Sequence, residues 1–238
     1  MKKYELTAES IVKFGITLFR IKALVAFGNV DAGELGGFVE KEENLSQSGD
    51  AWVSDDARVF GDAQVFGDAQ VFDDAQVSGD AQVFGDAQVF GDARVSGDAR
   101  VFGDARVSGD AQVFGDAQVF GDARVSGDAR VFGDARVSGD AQVSGDARVS
   151  SDARVSKMSH YLVVGPLGSR DDFTTFFRTK HLTIGVRCGC FKGDTDEFFR
   201  AVEKTHRKNK HAQAYKAAIA LAESRIDLNE EENDEEES

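Results

Sequence analysis

The chain has 238 residues, a formal net charge of −14 and only two cysteines, Cys188 and Cys190. That length allows one large or two to three small domains, the charge argues against a general nucleic-acid binder, and two cysteines exclude a disulfide framework. Sparse cysteine points to a reduced, cytoplasmic setting, and no window approaches the ~20 apolar residues of a membrane-spanning helix.

The N-terminus opens Met1-Lys2-Lys3. No apolar run of roughly 7–15 residues follows, because Lys13, Arg20 and Lys22 interrupt Ile11 to Phe27, so we expect no signal peptide. Thr17 to Phe27 reads as a strand. Gly36-Gly37-Phe38-Val39-Glu40-Lys41-Glu42-Glu43-Asn44-Leu45-Ser46 breaks the pattern that follows yet runs straight into it. Residues 1–48 are therefore read as an N-terminal β cap over the open end of a repeat.

From Gly49 to Ser156 a hexad frame, Gly-Asp-Ala-x-Val-Phe/Ser, runs eighteen times without insertion or deletion, covering 108 of the 238 residues. Ala and Val lie two apart, so they share one face of a strand and point inward, while x and the closing Phe or Ser point out. Gly-Asp marks a corner, where Gly accepts positive φ and Asp bonds nearby backbone. Short strands with a corner every six residues wind into a parallel β-solenoid. Val59 with Ala57, and Val65 with Ala63, resemble the aliphatic and small positions of the hexapeptide-repeat left-handed β-helix family. The resemblance implies three hexads per triangular coil, hence about six coils and a regular rod of roughly 29 Å at ~4.8 Å per coil.

Sorting the hexads by coil places Phe66, Phe84, Phe102 and Phe120 in one unbroken column. Such a column is read either as an intrachain aromatic ladder or as an oligomer interface making a dimer or trimer. The repeat carries 20 Asp against 9 Arg, a net −11. The carboxylate spacing, one per ~1.6 Å, approaches the charge spacing of duplex DNA, ~1.7 Å. Two readings follow, corner chemistry or mimicry of DNA; neither has the rod itself binding nucleic acid.

Residues 157–226 change character and carry the basic residues, 13 Lys/Arg against 7 Asp/Glu over 157–225. Tyr161–Val164, Phe173–Arg178 and His181–Phe191 read as strands, with a turn over Gly165–Arg170. Asp194 with Glu197 forms a capping box opening a helix to about Thr205. A second helix runs from about His211 to Ile226, with Tyr215, Ala218, Ile219 and Ala222 on its apolar stripe. The module is α+β, and residues 227–238 are an acidic tail expected to be disordered. The fold class is thus mainly β: a left-handed parallel β-helix with an N-terminal β cap and a small C-terminal α+β module.

The stretch Gly36–Ser46, the repeats, and the closing Gly165-Pro166-Leu167-Gly168-Ser169-Arg170, Arg187-Cys188-Gly189-Cys190-Phe191-Lys192-Gly193, Glu197-Phe198 and Thr205-His206 together resemble a family of phage and prophage hexapeptide-repeat proteins. Members are often described as transferases or polymer-forming proteins. The resemblance covers most of the chain. It implies a small accessory protein of a phage, acting in the bacterial cytoplasm.

Three chemistries compete. Hexapeptide acyltransferases use a histidine base on a coil and loops that project from it, but residues 49–156 contain neither, so a catalytic reading survives only as a degenerate enzyme. Cys188-Gly189-Cys190, with His181 or His206, could open a metal site. Alternation with Leu182, Ile184 and Val186 instead places both cysteines on an apolar strand face, so no metal and no cofactor is expected. The opposite face carries His181, Thr183 and Arg187, with Ser169, Arg170 and Arg178 on neighbouring segments; these six form a candidate site for a nucleotide-like anion. The expectation is a non-enzymatic protein whose rod is a scaffold and whose basic module binds and blocks a host defence factor or sequesters a small nucleotide signal. The alternatives are a DNA-mimicking inhibitor and a degenerate acyltransferase.

Overall fold

A computed structural model describes residues 2–229; residues 230–238, most of the expected acidic tail, lie outside the described residues. The hexads wind into a three-faced parallel β-solenoid. Two faces carry six rungs each, from Trp52–Val53 to Gln142–Val143 and from Gln64–Val65 to Arg154–Val155. The third starts at Arg58–Val59 and ends at Arg148–Ser150. Adding β3 (Leu35–Val39) and the Leu45–Val65 bridge gives about seven turns, one more than the hexads alone predict. Every hexad Ala and Val is at most 1 % exposed. The core is therefore a stack of alanine and valine methyls.

Each corner sits at positive φ, 70° at Gly91 for example, and the three departures from Gly, Asp55, Asp73 and Ser151, hold the same conformation at 55°, 60° and 63°. Asp tolerates this region better than most residues. Its side chain also bonds between coils, since the Asp73 carboxylate accepts from the Gly91 N–H at 3.0 Å.

The inter-coil bonds beside each rung run one way. Arg94 N–H donates to the Ala111 carbonyl at 2.9 Å, and Phe84 N–H to Val101 at 3.0 Å. Within the rung the direction reverses, because the parallel pairing of Arg94 with Gln112 and Val95 with Val113 has the Val113 amide donate back to the Arg94 carbonyl. Each end of the rod therefore leaves both donors and acceptors for its cap to meet.

The N-terminal cap supplies donors to several carbonyls and, at Glu40, a carboxylate that accepts from Gly61 N–H at 2.7 Å. Strands β1 (Tyr4–Lys13) and β2 (Ile16–Ala23) form an antiparallel hairpin that extends the third face through β3. The sequence pattern reveals only β2, because β1 alternates weakly and is largely exposed. The Lys3 ammonium donates to the Gly49 and Ala51 carbonyls at 3.1 and 2.9 Å. Asn44, fully buried, donates to Gly61 and Ala63 at 3.0 and 2.8 Å. The Tyr4 hydroxyl donates to Glu42 and Leu45, and Arg20 to Gly36.

The C-terminal module is a four-stranded antiparallel sheet, β4 (Tyr161–Leu167), β5 (Asp172–Arg178), β6 (Ile184–Cys188) and β7 (Phe191–Asp194), with α1 (Thr195–His206) and α2 (Lys210–Arg225) on one side. The expected Asp194 capping box is present; its carboxylate accepts from Glu197 N–H at 2.7 Å. Phe176, Ile184 and Val186 face the helices, packing with Phe198, Tyr215, Ala218 and Ile219. Tyr161, Val163 and Phe177 face the other way and join the solenoid core.

The strand expected over His181–Phe191 is broken at both ends. His181 to Thr183 form a turn with Leu182 at φ 56°, and Gly189-Cys190 form a tight turn leading into β7. Gly189, at φ 56°, supplies the reversal. Cys190 is consequently exposed rather than on an apolar strand face, while Cys188 is half-buried with its Sγ 3.7 Å from the Tyr215 hydroxyl.

Candidate functional site

The module closes the rod through side chains that answer the unpaired amides of the last coil. Thr175 Oγ1 accepts from Arg148 N–H at 2.9 Å, and His160 Nδ1 from Ser156 N–H at 3.3 Å. Lys180 N–H donates to the Asp152 carbonyl, and an antiparallel bridge joins Ala153 to Thr179. Tyr161 donates to the Gln142 carbonyl at 2.6 Å. Acceptors thus meet the amides of Arg148 and Ser156, and donors meet the carbonyls of Asp152 and Gln142.

Of the six residues grouped as an anion site, the fold scatters most. Arg187 points into the seam, where its Nε donates to Ser150 Oγ at 2.6 Å and its guanidinium lies 5.0 Å from the centre of the Phe132 ring. Burial lowers its pKa. Arg178 is buried, with its guanidinium 3.2 Å from both ring nitrogens of His160. Ser169 and Arg170 lie on a short 3-10 turn between β4 and β5. His181 is mostly exposed, 3.7 Å from the Asp152 carboxylate. The Thr183 hydroxyl bonds Thr179 at 2.7 Å and lines a groove of about 190 Å³ between the last coil and the sheet, with Ser151, Asp152, Lys192 and Asp194. The groove therefore takes in one of the six. The anion-site grouping relies on a continuous strand over His181–Phe191 that the two turns remove.

The aromatic columns are ladders within the chain. Phe66–Phe84, Phe84–Phe102 and Phe102–Phe120 stack at 4.8–4.9 Å between ring centres and within 3° of parallel. Phe72–Phe90 and Phe114–Phe132 repeat the geometry on the other two faces. All these rings remain half-exposed. Each therefore offers an edge to solvent, and Phe84 and Phe102 have both faces covered by neighbouring rings.

Sequence reasoning misses the seam pairs, Arg187 with Ser150 and Thr175 with Arg148. The available signal is the change from Phe to Ser in the final coils, since Ser138, Ser150 and Ser156 are all buried at the end the module covers. It also leaves unused the run His206-Arg207-Lys208-Asn209-Lys210-His211, which the structure places at the tip between α1 and α2. Among the described residues, no three His, Cys, Asp or Glu side chains cluster so as to hold a metal ion. No described helix is long and apolar enough to cross a membrane.

The chain matches the model of the YdcK beta-solenoid repeat over residues 87–101, 99–115, 117–131 and 141–157. Those segments run from the middle of the rod to its junction with the module, and they mark the repeat as one of the β-helix kind. Comparison with curated proteins gives no match.

Proposed function

We propose that the protein is a non-enzymatic phage accessory protein, a rigid solenoid scaffold carrying a recognition module that binds and blocks a host defence factor in the bacterial cytoplasm. The observation that carries this reading is the seam. Arg187–Ser150, Thr175–Arg148 and Tyr161–Gln142 fasten the module to the last coils. A recognition surface held on a rod in this way is presented at a fixed orientation, and binding then orders little additional chain. The scatter of Arg170, Arg178 and Arg187 favours a macromolecular partner over a sequestered nucleotide, because a small polyanion needs converging donors.

The half-exposed column Phe66, Phe84, Phe102 and Phe120 is the surface proposed for self-association into a dimer or trimer. Light scattering tests it: replacing all four by Ser lowers the solution mass, and an unchanged mass removes the idea. The wider reading is tested by affinity capture from a bacterial lysate using the full chain. One dominant host protein retained in stoichiometric yield supports it. Acetyl-CoA turnover by the purified chain, or no protein above the bare-resin control, overturns it.

A further inference from the structure

Charge is graded along the molecule. Residues 49–90 hold 9 Asp and 1 Arg, a net −8, whereas residues 91–156 hold 11 Asp and 8 Arg, a net −3. The module beyond is basic, and its positive charge gathers at the tip between α1 and α2. Residues 204–222 contain Lys204, Arg207, Lys208, Lys210 and Lys216 and no acidic residue at all. Lys216 is paired with Glu203 at 2.9 Å. The other four are exposed and, among the described residues, form no ion pair.

From these positions we propose that the α1–α2 tip is a contact surface for the phosphate backbone of nucleic acid, with Lys204, Arg207, Lys208 and Lys210 each neutralising a phosphate. The inference rests on the reading that the module is the recognition end, and it names the chemistry of the partner. Two observations favour nucleic acid over an acidic protein. Residues 204–211 hold no apolar side chain, and protein interfaces draw their energy from buried aromatic and apolar anchors. A surface of exposed cations without such anchors gains affinity by releasing counterions from a polyanion, independent of its sequence.

The charge gradient removes the obvious objection, that an acidic rod repels nucleic acid. The near-neutral coils over residues 91–156 set the strongly acidic ones back by roughly 17 Å at ~4.8 Å per coil. That is about two Debye lengths at physiological salt, ~8 Å each. Eight of the nine rod arginines lie in those coils, so the rod is least repulsive beside the module. The geometry also predicts weak, purely electrostatic binding: with about four phosphates contacted, log Kd should change with log salt by a slope near 3.6 in magnitude, and Kd should be on the order of 10 µM at low salt.

The test uses the full chain and a fluorescein-labelled 30-base-pair duplex of arbitrary sequence, followed by anisotropy from 25 to 200 mM salt. Binding with that slope is expected. The variant K204Q/R207Q/K208Q/K210Q should weaken it at least tenfold at 50 mM salt and bring the slope magnitude below about 1. Its circular dichroism and melting should match the parent, since all four side chains are exposed. The variant K204R/K208R/K210R should retain affinity and slope. No anisotropy change at 100 µM protein and 25 mM salt overturns the proposal, as does a quadruple glutamine variant that binds like the parent. Polyglutamate competing as well as unlabelled duplex, matched for charge, also overturns it and assigns the tip to an acidic protein. If duplex binding fails while a host protein is still captured from lysate, this inference falls and the scaffold reading stands. Duplex binding without capture supports this inference and overturns the host-protein reading.

Discussion

Lys3 Nζ lies 2.9 Å from the Ala51 carbonyl oxygen, so the third residue of the chain closes an acceptor on the first coil of a rod that begins forty-six residues later. The contact exists because the hexad alanine carbonyls accept from the coil before, as Ala111 does from Arg94 N–H, and at Ala51 no earlier coil provides an amide. Lys3 also satisfies Gly49 and stands 4.7 Å from the Phe27 ring.

That position makes stability depend on pH in a stated direction. Burial holds the Lys3 pKa down at about 8 against the attraction of Asp50 and Asp68, from an ordinary 10.5. The unfolded chain binds this proton more tightly than the folded one. The stability associated with the neutral amine is therefore present in full above pH 10.5 and is lost as pH falls from there to about 8. Lys3→Met removes two hydrogen bonds to carbonyls and should cost about 1–3 kcal/mol. Urea midpoints of parent and variant at pH 7.5 and 9.5 check both statements: the parent's advantage should be larger at pH 9.5. Measurement stays below pH 10, because burial raises the Tyr4 phenol pKa and its ionisation in the unfolded chain would pull stability down above that point.

Asn44 performs the same task on the neighbouring face with both amide hydrogens and its carbonyl oxygen. Its amide donates to Gly61 and Ala63, and its oxygen accepts from Lys41 N–H at 2.9 Å. Asn44→Leu keeps a similar volume and leaves one buried and two half-buried groups unmet, so it should destabilise by about 3 kcal/mol. Asn44→Asp keeps the acceptor but turns a carboxylate on two carbonyl oxygens, and should be at least as damaging. Thermal denaturation of both variants decides this, and a loss below about 1 kcal/mol in either would show that water replaces the cap.

At the other end, Arg187 joins the module to the rod through Ser150 and Phe132. Arg187→Ala should cost about 2 kcal/mol through the lost charged hydrogen bond and ring contact. The loss should be local. Hydrogen exchange should speed up at Arg148 and Ser150 while amides in the middle coils, near Val101 and Val119, stay protected. Uniform loss of protection along the rod would contradict the seam.

The rod was legible in the chain because its two periods, two for the strand and six for each side of the coil, are written into Ala and Val without interruption. Its ends were not, since Lys3, Asn44 and Thr175 each meet a backbone atom at least nineteen residues away, and no local pattern encodes such a pairing. The module's helices are announced by the Asp194 cap and the Tyr215 stripe. Its third strand is over-extended in the sequence because the alternation of Leu182, Ile184, Val186, Cys188 and Cys190 persists through two turns made by Leu182 and Gly189 at positive φ. Alternation puts the Arg187 side chain on the correct face of the sheet, but that face looks onto the rod instead of solvent.

The aromatic columns predict a dependence on neighbours. Phe84 stacks on both Phe66 and Phe102, whereas Phe90 stacks on Phe72 alone. At about 0.5–1.5 kcal/mol per stacked pair, Phe84→Ser should lose roughly twice the stacking energy of Phe90→Ser. Equilibrium denaturation of the two single variants measures the ratio. Equal losses would mean that the rings contribute by covering the coil surface and that stacking adds nothing.

The corner column running through Asp55, Asp73 and Gly91 predicts which substitution a coil accepts. Gly91 sits at φ 70°, and a Cβ there would lie 3.0 Å from the Gly109 amide nitrogen. Any side chain incurs the left-handed penalty of roughly 1–2 kcal/mol, and a β-branched one adds crowding against the next coil. Asp recovers part of the loss. Asp73 already accepts the Gly91 N–H at 3.0 Å, so a carboxylate at 91 is positioned to accept from the Gly109 N–H in the same way. Gly91→Asp should therefore destabilise by about 1 kcal/mol, and Gly91→Val by more than about 2 kcal/mol. Gly91→Ala, with the steric cost and no acceptor, should fall between them. Melting of the three variants at moderate salt gives the order; raising the salt should improve Gly91→Asp alone, because screening relieves the third stacked carboxylate while leaving its hydrogen bond intact.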